Sequence, residues 1–391
     1  MEQVKIFASI IDDATRRQVE ETADCDAYKG CPIRIMPDCH AGSGCTIGSV
    51  IRFNDRVVPN TVGVDIGCGM LVMELGKVDI DLAELDRVVN EMIPCGFAIH
   101  NRKMIYTHML DELNCRMALD EDYILRSIGT LGGGNHFIEL DQDDDGCKYL
   151  VIHSGSRNLG VKVCNYWQEK AVSNLTDKSD IRKELIERLK SEGRKDEINS
   201  ELKKLQAPQI NRQLAYIDEK DLEDYLSDMR ICQRYAVINR EMMAEIICDA
   251  LKLPYVGQFT TIHNYIEIET KTIRKGAISA KSGEKVIIPM NMRDGSLICV
   301  GKGNEDWLCS APHGAGRIMS RVQAFKELDM DEFRQSMEGI YTTSVCEGTL
   351  DESPMVYKSA DIICKDIAPT VDVTKVIKPL WNFKAGTQER K

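Results

Sequence analysis

The sequence predicts an α+β fold with extended mixed sheets and a helical insertion. Runs of β-branched residues separated by glycine turns occur toward both ends of the 391-residue chain and predict strands. The middle of the chain instead has apolar residues at helical spacing. Strands and helices do not alternate regularly, as they would in a βαβ fold. The length allows two or three domains, or one large domain over residues 1–391 with a charged helical insertion at about 165–253.

The amino-terminal half is predicted to form strands, then helix, then strands again. Residues 1–75 have the spacing of short strands and glycine turns. Residues 78–125 look helical, because IDLAELDRVVNEMI has apolar side chains at helical spacing and Asp81 stands near its start, where an aspartate can cap a helix. Residues 126–165 return to strands and glycine loops, and the acidic run DQDDD at 141–145 predicts a hairpin loop.

The carboxy-terminal half begins with the predicted insertion. Within it, the segment DKSDIRKELIERLKSEGRKDEINSELKKL carries opposite charges three and four residues apart, which is typical of an exposed helical hairpin. Residues 225–251 have a stronger apolar stripe and predict a packed helix. Strands are expected from residue 257 onward, with a late helix at 329–339 and a final strand in KVIKPLWNFKAG.

Charge, cysteine content and hydropathy limit the possible functions and locations. The chain has 50 Lys and Arg against 62 Asp and Glu, and the net charge of −12 argues against a general nucleic-acid coat. The fifteen cysteines are an odd number and accompany no secretion signal, so we expect free thiols and a cytoplasmic protein. No stretch approaches the ~20 apolar residues of a membrane span, and we expect no membrane partner.

Histidines in glycine-flanked loops are the strongest functional signal. Of seven histidines, five stand beside glycine, Asn or Asp in short loops at predicted strand ends. These five are His40, His136, His153, His263 and His313. Loops on a rigid scaffold are where catalytic groups concentrate. A single such histidine is more often a packing or capping residue, but packing alone hardly explains five in the same context.

Asp65 and Cys68, in VGVDIGCGM, complete an inventory of transition-metal ligands. Oxygen, sulfur and nitrogen donors together exclude a calcium cage. A closed structural zinc site is disfavoured because it would normally show two close CxxC or CxxH pairs. A thiolate can bridge two ions, and two ions ~3.5–4 Å apart suit phosphoryl chemistry. Taken singly, Asp65 is equally well a turn former and Cys68 a small buried side chain.

Two further segments point weakly toward phosphate. The glycines of GTLGGGNHFIE would let backbone N–H groups approach an anion, although a tight turn explains them equally well. Residues 271–302 carry seven basic and two acidic residues, a local charge of +5, and a solvated sheet face explains them equally well. Arg157 and Arg317, close in sequence to His153 and His313, are better candidates for bidentate phosphate contacts.

Eight segments, taken in order, resemble one known family. They are PDCHAGSGCTIGSV, VGVDIGCGM, GTLGGGNHFIE, IHSGSRNLG, HNYIE, CSAPHGAGRIMSR, DESPMVYK and WNFKAG. In this combination, from Arg34 to Gly386, the chain resembles the RtcB family of RNA ligases. The resemblance implies that family's α+β fold, a single catalytic domain over residues 1–391 with a central metal cleft. It also implies a GTP-dependent enzyme with two Mn²⁺ per chain, which joins RNA ends bearing a 3′-phosphate or 2′,3′-cyclic phosphate to 5′-hydroxyl ends.

The resemblance further implies roles for individual residues. The metal ligands would be Asp65, Cys68, His136, His153 and His263, with the Cys68 thiolate bridging the two ions. His313 would be the catalytic residue that becomes guanylylated. The nucleotide would be held by Asn135, His136, Phe137, Ile138, Glu139, His263, Asn264, Pro289, Met290, Asn291, Met292, Ser296, His313, Gly314, Ala315, Gly316 and Lys384. Among these, Glu139 is the candidate for recognising the guanine N–H donors and thus for preferring GTP over ATP.

The chain departs from the family pattern in three places. Ser43 stands where many members have Lys or another large residue, PMNMR at 289–293 replaces PGSMG, and Ile262 replaces the first of two histidines before Asn-Tyr. None of these changes removes a metal ligand or His313. The sequence does not distinguish an RNA substrate produced in tRNA splicing from one that arises in RNA repair. It also does not show whether an archease-like activator protein is needed.

Two other functions would use parts of the same site. A dinuclear metal phosphoesterase acting on RNA ends would need the metal ligands but neither His313 nor Lys384. A non-catalytic sensor of RNA ends would need the nucleotide pocket but no covalent step. The presence of both His313 and Lys384 favours ligation over these alternatives.

Overall fold

The computed structural model describes residues 3–105, 107–204 and 209–385. Gly386, where the family resemblance ends, lies outside the described residues, as do residues 205–208 of the predicted insertion. That residues 1–391 form one domain stays a prediction.

Within the described residues, helices and strands are mixed along the whole chain. The α-helices are α1 Asp13–Asp24, α2 Leu82–Met92, α3 Glu121–Arg126, α4 Arg157–Thr176, α5 Ser179–Ser191, α6 Ile198–Lys204, α7 Glu219–Leu251, α8 Arg321–Glu327, α9 Met330–Ser336 and α10 Ala360–Ile367. The strands are β1 Val4–Ile6, β2 Ile33–His40, β3 Ile47–Arg52, β4 Arg56–Val57, β5 Gly69–Gly76, β6 Phe137–Gln142, β7 Lys148–Ser154, β8 Ile217–Asp218, β9 Gly257–Ile262, β10 Asn264–Glu267, β11 Thr272–Lys275, β12 Ala277–Ser279, β13 Lys285–Asn291, β14 Gly295–Gly301, β15 Ser310–Pro312, β16 Tyr341–Thr342 and β17 Val371–Lys384. The predicted α+β class is confirmed.

Two sheets carry the site. The larger has eight strands, seven of them in the order β13-β14-β17-β6-β7-β5-β9, with β16 pairing with β17. The smaller has five strands in the order β1-β2-β3-β11-β10. Parallel and antiparallel pairs both occur in each, since β1 runs parallel to β2 and β16 parallel to β17 while the other pairs are antiparallel. The predicted mixed sheets are therefore confirmed.

The 33-residue helix α7 joins the two largest apolar clusters. Its first half buries Met229, Cys232 and Tyr235 in one cluster, and its second half buries Met243 and Ile247 in the other. The apolar stripe predicted over residues 225–251 is therefore a packed face. By contrast, α5 exposes its described charged side chains, as its sequence predicts.

Three helices were not predicted, and α1 shows why. The Asp12 carboxylate caps it by accepting a hydrogen bond from the Thr15 backbone N–H at 2.8 Å. The buried face of α1 consists of Thr15, Val19, Thr22 and Ala23. Two of these four residues are threonines, which are not hydrophobic, so the pattern of hydrophobic residues does not show the helical period of the buried positions. The short helices α8 and α10 fall in segments for which no helix was predicted. Helix α4 begins at Arg157, so the expectation of only strands and glycine loops over residues 126–165 is wrong for its last part.

The predicted helical region at 78–125 is only partly helical. Asp81 caps α2 through hydrogen bonds from the Ala83 and Glu84 backbone N–H groups, as expected. Beyond Met92, however, the chain forms loops and single 3₁₀ turns until α3. The predicted hairpin is confirmed, because β6 and β7 pair antiparallel, but its loop is shorter than 141–145, since Asp141 and Gln142 still belong to β6.

All fifteen cysteines lie in the described part of the chain and all are free thiols, as predicted. Across residues 3–105, 107–204 and 209–385, no helix combines the length and the apolar character needed to cross a membrane.

Candidate metal centre and nucleotide cleft

Four strand ends meet at one edge of the eight-stranded sheet. Strand β5 pairs antiparallel with both β7 and β9, and β6 pairs antiparallel with β7, so the starts of β5 and β6 lie beside the ends of β7 and β9. Gly69 at the start of β5 is in register with Ser154 and Ile262. Phe137 at the start of β6 is in register with His153. The loops at these ends carry all five predicted metal ligands, which explains why residues far apart in sequence converge.

The five predicted ligands form two groups of three that share Cys68. Asp65, Cys68 and His136 form one group, and Cys68, His153 and His263 form the other, with the donor atoms of each group within 4.8 Å of one another. Cys68 Sγ lies 3.4 Å from His136 Nε2 and 3.3 Å from His153 Nε2. His136 Nε2 is 2.9 Å from Asp65 Oδ2, and His153 Nε2 is 3.3 Å from His263 Nε2.

Backbone carbonyl groups orient two of the imidazoles. His136 Nδ1 donates to the Leu131 carbonyl at 2.8 Å, and His153 Nδ1 donates to the Asn135 carbonyl at 3.1 Å. In His153 the proton on Nδ1 leaves the Nε2 lone pair directed at Cys68, which is the tautomer that a metal ligand requires. His136 Nε2 instead donates to Asp65 Oδ2 at 2.9 Å, and a cation bound between them would take the place of that proton.

Glycines let the ligand loops approach one another closely. A Cβ at Gly155 would lie 2.0 Å from Asp65 Oδ1. Gly132 has a φ of +89°, and a Cβ there would lie 1.9 Å from an Arg157 guanidinium nitrogen. Close packing and left-handed backbone therefore account for Gly132 without a phosphate ligand.

The ligand protonation states suit cation binding. Burial lowers the pKa of His153 and of His263 well below the usual value, so both imidazoles are neutral and free to coordinate. Burial acts to raise the pKa of Asp65, but the charge and hydrogen bond of His136 outweigh it and lower that pKa to about 2. Burial, followed by the Asp65 charge, raises the pKa of the Cys68 thiol well above its usual value. A cation at the sulfur would reverse this last effect, because coordinated thiols are deprotonated.

The distances within the two groups also fit metal ions. Sulfur and nitrogen ligands lie roughly 2.0–2.3 Å from a tetrahedral ion such as zinc, which separates the ligand atoms by roughly 3.3–3.7 Å. The two Sγ–Nε2 distances, 3.4 and 3.3 Å, fall within this range. Thiolate, imidazole and carboxylate donors around one shared sulfur suit a pair of transition-metal ions.

His313 follows β15 and is held by a buried carboxylate on β2. Asp38 Oδ2 accepts a hydrogen bond from His313 Nδ1 at 2.6 Å, and further hydrogen bonds from the backbone N–H groups of His313 at 3.1 Å and Gly314 at 3.3 Å. This fixes the proton on Nδ1 and leaves Nε2 as a nucleophilic nitrogen. The His313 ring lies 4.8 Å from the His263 ring, centroid to centroid, so this imidazole stands beside the second ligand group.

A cleft of about 950 Å³ opens over the ligand groups. Most of the predicted nucleotide-binding residues line it, namely Asn135, Phe137, Glu139, His263, Asn264, Pro289, Met290, Asn291, Met292, His313, Gly314, Ala315, Gly316 and Lys384. His136, Ile138 and Ser296 are not among the lining residues. Ile138 packs in an apolar cluster, and Ser296 is buried on β14 opposite Pro289. Asn264 uses its amide internally, donating to the Asp65 carbonyl and accepting from the Gly276 N–H.

Glu352 organises the cationic wall of the cleft. Its carboxylate accepts hydrogen bonds at 2.7 Å from Lys384 Nζ and from the Tyr357 hydroxyl. Arg317 and Arg321 approach its other oxygen at 3.2 and 3.3 Å. Burial acts to raise the pKa of Glu352, but the charges of Lys384 and Arg321 outweigh it and lower that pKa. The Glu352 carboxylate therefore holds Lys384 in place at the cleft wall.

The two candidate arginines have different positions. Arg317 lines the cleft, as a phosphate-binding residue should. Arg157 instead donates from Nε to Thr130 Oγ1 at 3.1 Å and from a terminal nitrogen to the Gly96 carbonyl at 2.8 Å, and it is not among the lining residues. Arg157 therefore packs against the glycine loop that contains Gly132 and does not face the cleft.

The basic segment at 271–302 is largely paired within the protein. Arg274 and Lys281 both contact the Glu267 carboxylate, and Lys285 contacts Glu74. Lys302 and Arg293 pair with Asp372 and Asp294, respectively, and buried Lys275 donates to the Ser43 and Asn60 carbonyls. The local charge therefore stabilises the sheets more than it forms a free surface for RNA.

The departure from the family pattern at residues 289–293 is accommodated by packing and turn formation. Asn291 Oδ1 accepts hydrogen bonds from the backbone N–H groups of Arg293 and Asp294, which closes the turn between β13 and β14. Met290 and Met292 bury their side chains in two separate apolar clusters. The loop thus keeps an ordered backbone at the edge of the cleft.

Three residues of the site were not predicted. Asp38 and Glu352 lie within the segments PDCH and DESP. The signal that could have identified them as site residues was an acidic side chain near a proline within a segment that resembles the family. Arg240, on α7, is fully buried and donates to the Gly67 and Ser154 carbonyls beside the Cys68 loop. Nothing in a helical sequence distinguishes such an arginine from a surface one.

Comparison with known proteins agrees with this geometry. A family model described as tRNA-splicing ligase RtcB matches residues 18–124 and 116–385. The RNA-splicing ligase RtcB1 of Escherichia coli strain ATCC 25922 is 32% identical over 391 aligned positions, covering 89% of this chain and 88% of that protein. The tRNA-splicing ligase RtcB of Archaeoglobus fulgidus is 26% identical over 457 positions, covering 93% of this chain and 89% of that protein.

Proposed function

This chain belongs to the RtcB family of RNA ligases, and from that premise we propose that it is a GTP- and Mn²⁺-dependent ligase acting in the cytoplasm. Its substrates would be one RNA end with a 3′-phosphate or 2′,3′-cyclic phosphate and another with a 5′-hydroxyl. The observation that carries the proposal is His313, whose Nδ1 is bound to buried Asp38 while its ring stands beside the paired ligand groups.

The proposed first step is guanylylation of His313. Asp38 accepts the Nδ1 proton in a hydrogen bond and so presents Nε2 as the attacking atom. A bond forms between Nε2 and the α-phosphorus of GTP, the bond from that phosphorus to the bridging oxygen breaks, and pyrophosphate leaves. Two Mn²⁺ ions, held by the groups around Cys68, would supply the positive charge that neutralises the phosphates.

The following steps transfer GMP and seal the RNA. An oxygen of the RNA 3′-phosphate attacks the guanylyl phosphorus, the phosphorus–nitrogen bond to His313 breaks, and a mixed anhydride forms. The 5′-hydroxyl oxygen then attacks the RNA 3′-phosphorus and gives up its proton, and GMP leaves. A cyclic end would first add water across one phosphorus–oxygen bond. Lys384, held by Glu352, is placed to offset the negative charge that develops.

Guanine would be held at the wall formed by Glu139 and Phe137. Both residues line the cleft, and Lys384 Nζ lies 5.7 Å from the centre of the Phe137 ring. A carboxylate can accept hydrogen bonds from guanine N1–H and the 2-amino group, which adenine does not present in the same pattern. Glu139→Ala is therefore expected to lose the preference for GTP over ATP, and an unchanged preference would refute this assignment.

Covalent labelling tests the central claim. The full chain is incubated with Mn²⁺ and GTP labelled at the α-phosphate, and the label is followed on a denaturing gel. We expect a labelled band that disappears in His313→Ala and persists in His108→Ala, whose side chain is exposed far from the cleft lining. Absence of label in the metal-loaded parent protein would favour the phosphoesterase or the sensor of RNA ends.

A further inference from the structure

Two carboxyl groups lie side by side behind the cleft wall. Glu139 and Asp141 are two residues apart on β6, so their side chains point to the same face of the sheet. Phe137, on the same face, packs in an apolar cluster with Val151 and Ile298. Glu139 lines the cleft, whereas Asp141 is fully buried and is not among the lining residues.

Asp141 has no ordinary partner for its charge. Neither of its carboxyl oxygens receives an N–H or hydroxyl donor from the described residues. Across the sheet it faces Pro379, which has no N–H, and Tyr149, whose hydroxyl donates instead to Asp143. The polar group that acts on Asp141 is the carboxyl of Glu139.

The other polar groups near the pair bond to other residues. Lys384, on β17, acts on Glu139 from the cleft side but donates to Glu352. Lys375, also on β17, contacts Asp143. Asn382 faces Glu139 across the sheet and donates to the Met292 carbonyl. The two carboxyl groups are thus left to interact with each other.

We propose that Asp141 is a positioning residue for nucleotide specificity, which shares one proton with Glu139 and carries it when guanine binds. The Glu139 carboxylate then faces guanine N1–H and the 2-amino group, while the Asp141 hydroxyl donates to it from behind. This inference rests on the proposed role of Glu139 in binding guanine.

The physical reason is that two adjacent carboxylates cannot both ionise in an apolar site. Burial raises the pKa of Asp141 to about 7. Burial and then the Asp141 charge raise the pKa of Glu139 well above its usual value, while the hydrogen bond from Glu139 opposes the rise in the pKa of Asp141. In the free protein the shared proton therefore stands on Glu139, and it passes to Asp141 when guanine binds. At acidic pH both groups are protonated, and a neutral Glu139 can donate to adenine N1 as well as accept. As the pH rises, the pair loses one proton, and the remaining negative charge favours guanine.

The test is the ratio of GTP to ATP affinity as a function of pH. Each affinity is measured by displacement of a fluorescent GTP analogue at saturating Mn²⁺, in a His313→Ala background that prevents covalent transfer. Metal and phosphate contributions are common to both nucleotides and cancel in the ratio. We expect the ratio to rise about tenfold between about pH 6 and about pH 8, as one proton leaves the pair.

Asp141→Asn removes the second ionisable group but keeps a donor to Glu139. We expect its GTP-to-ATP ratio to be high at about pH 6 and to change less than about twofold up to about pH 8. Asp145→Asn, at the exposed hairpin turn, is the matched control and should follow the parent. If Asp141→Asn fails to fold, Asp141→Leu should also lose the pH-dependent rise, but at a lower GTP-to-ATP ratio, since it removes the second ionisable group and supplies no donor to Glu139.

A parent ratio that favours GTP but does not change with pH would overturn the inference and leave the proposed function intact. So would a pH-dependent rise that Asp141→Asn retains. A ratio near one at every pH would overturn the guanine assignment of Glu139, and the inference with it.

Discussion

The substitution Asp38→Asn tests how His313 is prepared for attack. Asp38 Oδ2 accepts three hydrogen bonds, from His313 Nδ1 and from the backbone N–H groups of His313 and Gly314. An asparagine can keep the backbone contacts through its oxygen, or it can turn its amide N–H toward Nδ1. In the second arrangement the imidazole proton moves to Nε2, and the nucleophilic lone pair is lost.

The expected effect is a large loss of guanylylation rate with a small loss of stability. The corresponding tautomer error at a catalytic histidine costs about 10⁴-fold in rate, and we expect about 10³- to 10⁴-fold here. At about 1.4 kcal/mol per tenfold, this is about 4–5.5 kcal/mol of activation free energy. The loss of one charge-assisted hydrogen bond should lower the free energy of unfolding by about 1.5–3 kcal/mol.

The assay is single-turnover labelling of the protein by GTP, with nucleotide affinity measured in parallel. Asp306→Asn, at an exposed ion pair with Lys5, is the control and should label at the parental rate. Asp38→Asn should bind GTP within about threefold of the parent, because Asp38 is not among the residues that line the cleft. Labelling of Asp38→Asn within tenfold of the parental rate would refute the orienting role of this carboxylate.

Three further predictions test the metal site, the acid response and the core. Cys68→Ala should reduce bound Mn²⁺ from two ions per chain to fewer than one, measured by elemental analysis after dialysis. Cys346→Ala, which removes an exposed thiol, should keep both ions. Full occupancy in Cys68→Ala would exclude a bridging role for this sulfur. Burial acts to raise the pKa of Glu267, but its cationic partners outweigh it and lower that pKa to about 2. The contribution of Glu267 to the free energy of unfolding should therefore be complete above its unfolded pKa of about 4.5 and be lost as the pH falls toward 2. In denaturant titrations the parent should be more stable than Glu267→Gln by on the order of 1 kcal/mol at neutral pH, for a partly exposed group, and this difference should disappear in acid. A difference that does not depend on pH would contradict this. Phe333→Ala should lower the free energy of unfolding by about 3–5 kcal/mol in denaturant titrations, because the ring is fully buried, while exposed Phe97→Ala should change it by less than about 0.5 kcal/mol; equal effects would contradict the packing.

Parts of the fold could be predicted because their apolar residues form either a continuous run or a helical stripe. Strands β13 and β14 are runs of β-branched and apolar residues, and α7 has an apolar stripe over seven turns. Helix α1 escaped prediction because threonines occupy half of its buried face. The basic segment at 271–302 was ambiguous, because charge in a sequence does not show whether an acidic partner such as Glu267 lies across the sheet.

The sequence by itself indicated the kind of chemistry. Histidines beside glycines, together with Asp65 and Cys68, predicted a transition-metal site, since few side chains coordinate a transition metal and glycine permits tight loops, and the family resemblance then selected the five predicted ligands. Tertiary structure alone decided how they are grouped. The register of β5 with β7 and β9 makes Cys68 common to both ligand groups, and the packing of two sheets brings Asp38 under His313. Such pairings depend on which strand ends become neighbours, and contacts between residues distant along the chain leave no local pattern in the sequence.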